Sequence, residues 1–388
     1  MVTLTQAPTS SPRPPRHSVL GVSPTILDDE PDGDWTAPGT YRCAPGVYRI
    51  PLPLPNDGLR AVNVYAIEDV GGWTLVDSGW AITEAEELLA QSLSALGTGL
   101  ADVRRYLVTH SHRDHYTMGI ELRRRFGSRV LLGAGEKLGL DEINRSDRMR
   151  GGSSHMERLR QAGAGDLADL ITANAPPPMD LAMWEQPDEW LDDGAVITVG
   201  PEEPGADEGP IARSLTAIAT PGHTRGHLVF ADQEHDLLFT GDHVLPTITP
   251  SIGFEPIAPP SPLSDFLTSL QLLRDRPDAE MLPAHGKVGR RVHERVDELL
   301  AHHAQRLDDT LAGLAGGRTT AYEVATTLAW TRRGRKLAEL DPFNRMLAIL
   351  ETAVHLEVLV ERGLVASDAD PAVVVPDADV AVVHYRVV

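Results

Sequence analysis

Residues 109–119 read THSHRDHYTMG and place four candidate metal ligands, His110, His112, Asp114 and His115, within six positions. The segment directly follows the apolar strand pattern RRYLV, so we expect it at the carboxyl edge of a sheet, where open α/β folds place their sites. Imidazole and carboxylate are the ligands that Zn²⁺, Fe²⁺ or Mn²⁺ take when thiolates are absent. Alternation along the loop lets His110 and His112 face one ion while Asp114 and His115 face another.

Three further candidate ligands stand alone later in the chain: His223 in TPGHT, Asp242 in FTGDH and His285 in LPAHG. Each follows an apolar run and a small residue or proline, which predicts a turn at the end of a strand. A lone histidine is more often structural than ligating, but these three come after a cluster of four ligands with two carboxylates in the set. The joint pattern therefore predicts a metal centre.

The order HxHxDH, PGHT, GDH and PAHG resembles the metallo-β-lactamase superfamily over roughly residues 46–290. The resemblance implies an α/β fold, the αββα sandwich, with two divalent metal ions, zinc first and iron or manganese as alternatives. It also implies the ligand sets: His110, His112 and His223 for one ion, Asp114, His115 and His285 for the second, and Asp242 bridging both. The segment LVDSG resembles the first motif of the superfamily, so Asp77 is expected to support the ligands rather than bind metal.

The cluster also resembles glyoxalase II and its thioesterase relatives. In those proteins two small residues usually follow the motif, whereas Tyr116, Thr117, Met118 and Gly119 follow it here. This difference weakens a glyoxalase II assignment. Because Tyr116 adjoins the cluster, we expect its hydroxyl to act in catalysis by donating a hydrogen bond to an oxyanion.

The length of 388 residues favours more than one folded unit. Residues 1–38 are rich in Pro, Ser, Thr and Asp, which predicts a flexible N-terminal arm. Residues 39–290 alternate strand and helix patterns and form the predicted catalytic domain, with a helical insertion at 141–190 that is placed to cover a pocket. Residues 291–388 are predicted as a helical linker and a small winged-helix-like domain, in which His302 and His303 lie on a helix surface. This segment resembles an appendage found on some hydrolases of the superfamily.

Composition limits the partners and the location of the protein. The 35 basic and 56 acidic residues give 35 − 56 = −21, which repels phosphate backbones, so nucleic acid is not an expected partner. The single cysteine, Cys43, excludes an intramolecular disulfide. Neither a membrane-spanning apolar stretch nor a secretory signal is evident, which predicts a cytoplasmic protein without a membrane partner. An exposed apolar cap would favour a homodimer.

Two adjacent divalent ions can lower the pKa of a shared water and polarise a carbonyl. We therefore expect hydrolysis of a small-molecule thioester, ester or lactone by a metal-bridged hydroxide, with Asp114 or a metal-bound water transferring the proton. The rival interpretations are a phosphodiesterase or nuclease, a mononuclear iron oxygenase similar to the persulfide dioxygenases, and a purely structural metal. An apolar wall for an acyl chain is expected from Met156, Met179, Met183, Trp184, Ile252 and Phe254.

Overall fold

The structure, a computed structural model, describes residues 26–29, 33–55, 58–145, 154–175, 180–201, 211–257, 259–331, 333–368 and 381–388. Most of the predicted flexible arm, and Met179 of the predicted apolar wall, lie outside the described residues.

Two β-sheets form the centre of the molecule. The first sheet contains eight strands in chain order: β1 (Ile26–Asp28), β2 (Thr40–Ala44), β3 (Val47–Pro53), β4 (Ala61–Asp69), β5 (Gly72–Val76), β6 (Val103–Val108), β7 (Arg129–Gly133) and β8 (Glu189–Leu191). The second sheet has the order β14-β13-β12-β11-β10-β9, from β9 (Val196–Val199), β10 (Arg213–Ala219), β11 (Leu228–Asp232), β12 (Leu237–Gly241), β13 (Glu280–Pro283) and β14 (Arg290–Arg291). Strands β5 to β8 run parallel, as does the β12–β13 pair.

Helices cover the outer face of each sheet. Those of the first half are α1 (Thr83–Ala95), α2 (Arg113–Phe126) and α3 (Lys137–Ile143). Those of the second half are α4 (Ser154–Gln161), α5 (Gly165–Ala173), α6 (Pro262–Arg274), α7 (Val292–Ala315), α8 (Ala321–Thr327) and α9 (Pro342–Glu361). One apolar cluster, including Tyr65, Leu107, Phe230 and Phe239, lies between the two sheets, and two more lie under the helical layers. The predicted αββα sandwich is confirmed.

Strand β4 shows why buried and exposed residues do not strictly alternate along the central strands. Its residues from Ala61 to Ile67 are all buried, because the second sheet covers one face and helices cover the other. Strands covered on both sides are apolar throughout. The strand ends that carry polar residues are therefore the points at which a site can form.

The last part of the predicted arm packs against the first sheet. Strand β1 pairs in parallel with β2, and the carboxylate of Asp29 forms an ion pair with the buried guanidinium of Arg49. A second arm residue, Trp35, accepts a hydrogen bond from Arg49 at its carbonyl oxygen. For these residues the expectation of a flexible arm is corrected. The buried guanidinium of Arg49 requires hydrogen-bond acceptors, and Asp29 and Trp35 of the arm supply them.

The C-terminal segment and the insertion share one apolar core. Met156 and Leu159 of α4 belong to the same buried cluster as Leu350 and Val354 of α9. Helices α8 and α9 are followed by a two-stranded ribbon, with β15 (Val365–Ser367) paired to β16 (Tyr385–Val387). The winged-helix-like domain stays a prediction. These helices do not, however, form a core separate from the catalytic half.

Helix α7 corrects the expected position of one histidine. His302 is exposed as expected, but His303 is fully buried, with its Nδ1 atom 3.2 Å from Nε2 of His355. The reason is that α7 packs between α6 and α9, so the helical face that carries Leu299, His303 and Leu307 is buried. Among the described residues, none of the helices is long and apolar enough to cross a membrane.

Candidate metal centre

Strand β6 and helix α2 position the four clustered ligands. The strand ends at Val108, and α2 begins at Arg113 with His112 as its N-terminal cap residue. Asp114 and His115 therefore lie on the first turn of a helix, while His110 lies in the connecting loop. The backbone changes direction within six residues, which turns all four side chains toward the same edge of the sandwich.

The first group of candidate ligands contains His110, His112, His223 and Asp242. One side-chain nitrogen or oxygen of each residue lies within 4.8 Å of those of the others. Nε2 of His110 is 2.9 Å, and Nε2 of His223 is 3.1 Å, from Nδ1 of His112. Oδ2 of Asp242 lies 3.5 Å from Nε2 of His223. The three nitrogen atoms and this carboxylate oxygen converge on one point from three different turns.

The second group contains Asp114, His115 and His285, whose ligand atoms also lie within 4.8 Å of one another. Nε2 of His285 is 3.4 Å from Oδ2 of Asp114 and 3.3 Å from Oδ1 of Asp242. Asp242 thus points one carboxylate oxygen at each group. Three of these atoms are buried without a hydrogen-bond partner in the described part of the chain: Nε2 of His115, Nε2 of His285 and Oδ1 of Asp242.

Three of the histidines that point Nε2 at the site are held in orientation by a hydrogen bond from the other ring nitrogen, Nδ1. Nδ1 of His115 donates to Asp77 at 2.9 Å, Nδ1 of His223 donates to the carbonyl of Ser251 at 2.8 Å, and Nδ1 of His285 donates to the carbonyl of Ala61 at 2.7 Å. Such bonds set the tautomer and leave the Nε2 lone pair facing the ligand site. This is the arrangement that histidine ligands of metals require.

Asp77, which the sequence predicts to support the ligands, lies against the ring of His115. It follows β5, has a positive φ of 60°, and accepts hydrogen bonds from the backbone amide and the hydroxyl of Thr109. Because its other oxygen binds the ring of His115, Asp77 connects β5 to the loop after β6. A left-handed non-glycine residue is costly, and such conformations concentrate at functional sites.

The two ligand groups differ in how their surroundings shift the pKa values of their histidines. Burial, followed by the neighbouring His223, lowers the pKa of His112 to about 3, and burial lowers that of His223 as well. For His115, burial alone would lower the pKa, but the nearby carboxylates, Asp77 first among them, raise it to about 10. The second group thus lies among three carboxylates, Asp77, Asp114 and Asp242, whose negative charge attracts a cation.

The donor set fits divalent metal ions. Its members are imidazole nitrogens and carboxylate oxygens, which suit zinc, iron or manganese. The three unpartnered buried atoms support the same conclusion, since buried polar atoms without a partner are rare and costly.

Tyr116 does not reach this site, which corrects the expectation that it donates to an oxyanion. Its side chain is fully buried, and its hydroxyl donates to the backbone carbonyl of Glu185. The ring lies beside Trp184 in the apolar cluster under the first sheet. One residue of α-helix rotates a side chain by about 100°, so the neighbour of a ligand on α2 faces elsewhere.

Two polar residues at the site were missed by sequence reasoning. His227 is fully buried, and its Nε2 atom accepts a hydrogen bond from the backbone amide of Asp242 at 3.1 Å. Glu136 is buried and accepts hydrogen bonds from the hydroxyls of Ser111 and Thr224, which join the loops that carry His112 and His223. The second histidine of HTRGH was the available signal for His227, whereas Glu136 has no local signal.

The predicted apolar wall is not one surface. Met156 and Ile252 belong to the cluster under the second sheet, while Met183 and Trp184 belong to the cluster under the first. Phe254 stacks on His155, with ring centroids 4.3 Å apart. These residues therefore pack separate layers. His243, which follows Asp242, is fully buried against Phe266.

A family model described as the metallo-beta-lactamase superfamily matches residues 57–142 and 162–285. The match covers more than half of the chain, and all seven candidate ligands lie within it. The chain belongs to the metallo-β-lactamase superfamily of hydrolases, as the sequence motifs predicted.

Individual relatives agree with this family. The chain is 40% identical over 93 residues to "Beta-lactamase-like protein 2 homolog" of Caenorhabditis elegans, covering 24% of this chain and 29% of that protein. It is 25% identical over 284 residues to "Atrochrysone carboxyl ACP thioesterase" of Aspergillus fumigatus, covering 72% of this chain and 51% of that protein. The chain thus spans about half or less of the length of these two curated relatives. A metallo-beta-lactamase family protein of Thermus thermophilus has a similar structure, with a TM-score of 0.62, 28% identity, and coverage of 89% of this chain and all of that one.

Proposed function

We propose that the protein is a metal-dependent hydrolase that cleaves a small-molecule acyl bond, with a thioester favoured over an ester or a lactone. The observation that carries the proposal is the convergence of seven ligand atoms into two groups that share Asp242. Two groups so close together match the arrangement of two-metal hydrolases.

In this proposal His110, His112 and His223 hold one divalent ion, Asp114, His115 and His285 hold the second, and Asp242 contacts both. Zinc is the metal we propose first, because all seven ligands are nitrogen or oxygen donors that it accepts. When bound, the two ions would activate water and polarise the scissile carbonyl.

The chain itself supplies orientation and a proton acceptor. The side chain of Asp114 is 14% exposed, more than that of Asp242 at 9% or His115 at 0%, so it faces the open side of the site. In this proposal Asp114 accepts the proton released during attack and returns it to the leaving group. Asp77 and His227 keep the ligands in position and do not contact the substrate.

A thioester is favoured because of the relatives. Proteins of the same superfamily named as acyl carrier protein thioesterases match 72% of this chain or more, at 25% identity or less. The net charge of −21 weighs against a nucleic-acid substrate, since it opposes a phosphate backbone. The second ligand group weighs against a mononuclear oxygenase, because that chemistry leaves it unused. Cytoplasmic location and a homodimer remain part of the proposal.

The test is a substrate panel given to zinc-loaded protein: acetyl, octanoyl and benzoyl thioesters of N-acetylcysteamine, a γ-lactone, and bis-p-nitrophenyl phosphate. We expect thioester hydrolysis that His285→Ala lowers by on the order of a hundredfold or more, while the exposed His384→Ala leaves it unchanged. Faster turnover of the phosphodiester would favour the nuclease interpretation. No hydrolysis by the zinc-loaded protein, together with one iron per chain in the protein as purified, would favour the oxygenase.

A further inference from the structure

A cleft of about 730 Å³ lies beside the metal centre and contains none of its seven candidate ligands. Its walls are residues 247–251, helix α7 and the N-terminal half of α9, and we refer to it as the α7–α9 cleft. Small-molecule sites are typically concave and of about 300–1,000 Å³. The cleft is therefore large enough for a ligand of its own.

Arg306 and Trp330 form the polar end of the α7–α9 cleft. The guanidinium carbon of Arg306 lies 4.4 Å from the centroid of the Trp330 ring, and the indole of Trp330 donates to the carbonyl of Ala325 at 2.9 Å. Both side chains are thus held in place. The Nε atom of Arg306 is buried and has no hydrogen-bond partner in the described part of the chain. A buried guanidinium donor without an acceptor is costly, so a bound acceptor would satisfy it.

Three of the other charged groups of the cleft, Asp341, Glu351 and Arg295, leave this position open. Asp341 accepts hydrogen bonds from the backbone and side-chain amides of Asn344 and thereby caps α9. Burial raises the pKa of Glu351, which disfavours its charged form. The guanidinium of Arg295 binds the carbonyls of Leu245 and Ile248. Among the described residues no carboxylate lies within salt-bridge distance of Arg306.

Apolar side chains also line the α7–α9 cleft among its polar ones, with Ile248, Leu340 and Leu347 in addition to the Trp330 ring. We propose that the cleft binds a small monocarboxylate with an apolar body, its carboxylate on Arg306 and its body between α9 and the loop at 247–251. A guanidinium fork matches a carboxylate geometrically. A dianionic phosphonate is the competing ligand, because Arg295 and Arg335 also line the cleft, but the carboxylate of Asp341 in the same space opposes its second negative charge.

The α7–α9 cleft adjoins the metal centre through one backbone carbonyl. Ser251 lines the cleft, and its carbonyl oxygen accepts the hydrogen bond from Nδ1 of His223. Ligand binding in the cleft would therefore contact the loop that orients a candidate metal ligand. The proposed binding itself does not depend on hydrolysis.

Calorimetric titration of the full chain with 2-naphthoate, 2-naphthylmethanol and phenylphosphonate tests the proposal. We expect saturable binding of 2-naphthoate below about 1 mM, and binding at least about tenfold weaker for the neutral alcohol and for the phosphonate. Arg306→Met should weaken 2-naphthoate binding by about tenfold or more, and Arg306→Lys should restore only part of it. The matched control is Arg318→Met, which removes an exposed arginine outside the cleft and should change nothing.

A second arm separates the α7–α9 cleft from the metal centre, because carboxylates also bind metals. After chelator treatment, 2-naphthoate should bind with unchanged affinity. Loss of binding on chelation, equal binding by Arg306→Met, stronger binding of phenylphosphonate, or no saturable binding by the wild type would each overturn the proposal. Thioester hydrolysis by Arg306→Met, measured in parallel, is expected to persist, so failure here is distinct from failure of the proposed hydrolase activity.

Discussion

The imidazole of His227 accepts a hydrogen bond from the backbone amide of Asp242 at 3.1 Å, and its Nδ1 atom donates to the hydroxyl of Thr220 at 2.9 Å. His227 thereby fixes the residue that contacts both ligand groups. We expect His227→Phe to fold but to bind zinc about 10–100-fold more weakly, since supporting partners of metal ligands typically contribute that much. Zinc affinity is measured by competition with a chromophoric chelator.

His243→Phe is the matched control for this prediction. His243 is equally buried, and no hydrogen bond joins its ring to any of the seven candidate ligands in the described part of the chain. Zinc affinity should therefore remain at the wild-type value. Equal losses in the two variants would mean that general packing, and not the bond to Asp242, sets the affinity.

Gly241 allows the close approach of β12 to His227 and Thr109. It has a φ of +50°, and a Cβ atom there would lie 2.7 Å from Nε2 of His227 and 2.8 Å from Cβ of Thr109. We expect Gly241→Ala to lower the free energy of unfolding by about 2–4 kcal/mol, from left-handed strain and overpacking together. Gly127→Ala isolates the strain, because Gly127 has a φ of +77° and open space around it, and should cost about 1 kcal/mol. Urea denaturation measures both variants, and losses of equal size would refute the clash.

Substitution of Tyr116 tests the hypothesis, drawn from the sequence, that its hydroxyl donates a hydrogen bond to an oxyanion. Its hydroxyl donates to the carbonyl of Glu185, away from the metal centre. We expect Tyr116→Phe to retain the wild-type kcat for thioester hydrolysis and to lose about 1 kcal/mol of stability, the usual contribution of one buried hydrogen bond. A kcat lowered by more than about tenfold, with unchanged metal content, would return Tyr116 to the reaction.

The buried pair of His303 and His355 predicts a pH dependence of stability. Burial lowers the pKa of His355 to about 4, against about 6.5 in an unfolded chain. Between these values the unfolded state binds more protons, so the free energy of unfolding falls as pH decreases. From His355 alone we expect a loss of about 2 kcal/mol between pH 7.5 and pH 5, with His302, Arg306 and the carbonyl of Glu351 also facing the pair.

Denaturation of His355→Gln at the same pH values checks this prediction. The variant should show a shallower decline of stability with pH than the wild type, because it has lost one titrating group. The exposed His384→Gln serves as the control and should retain the wild-type slope. A parallel decline in all three proteins would assign the acid sensitivity to other groups.

The sequence predicted the fold, and it singled out the seven candidate ligands that the structure brings together, because both depend on local patterns. Each ligand follows an apolar strand pattern, and strand ends meet at one edge of the sandwich. The contact of Glu136 with Ser111 and Thr224 joins segments 25 and 88 residues apart, which no local pattern encodes. The direction of Tyr116 depends on where α2 begins, and a shift of one residue would turn its side chain by about 100°.

The dependence on contacts between distant segments also explains what the sequence did not predict in the C-terminal half. The helical pattern of residues 292–315 was visible, but burial of His303 required knowledge of the helices on both sides of α7. The prediction of an apolar wall was wrong because it grouped residues by chemical character alone. Its members share a chemical character, yet the fold assigns Met156 and Trp184 to layers on opposite sides of the two sheets.

The number of metal ions bound per chain tests the central claim most directly. Protein treated with a chelator and dialysed is titrated with Zn²⁺, and wild type is compared with His285→Ala. We predict two equivalents for the wild type and one for the variant, because His285 belongs to the second group alone. A single equivalent in both proteins would contradict the two-metal centre and the hydrolase function proposed from it.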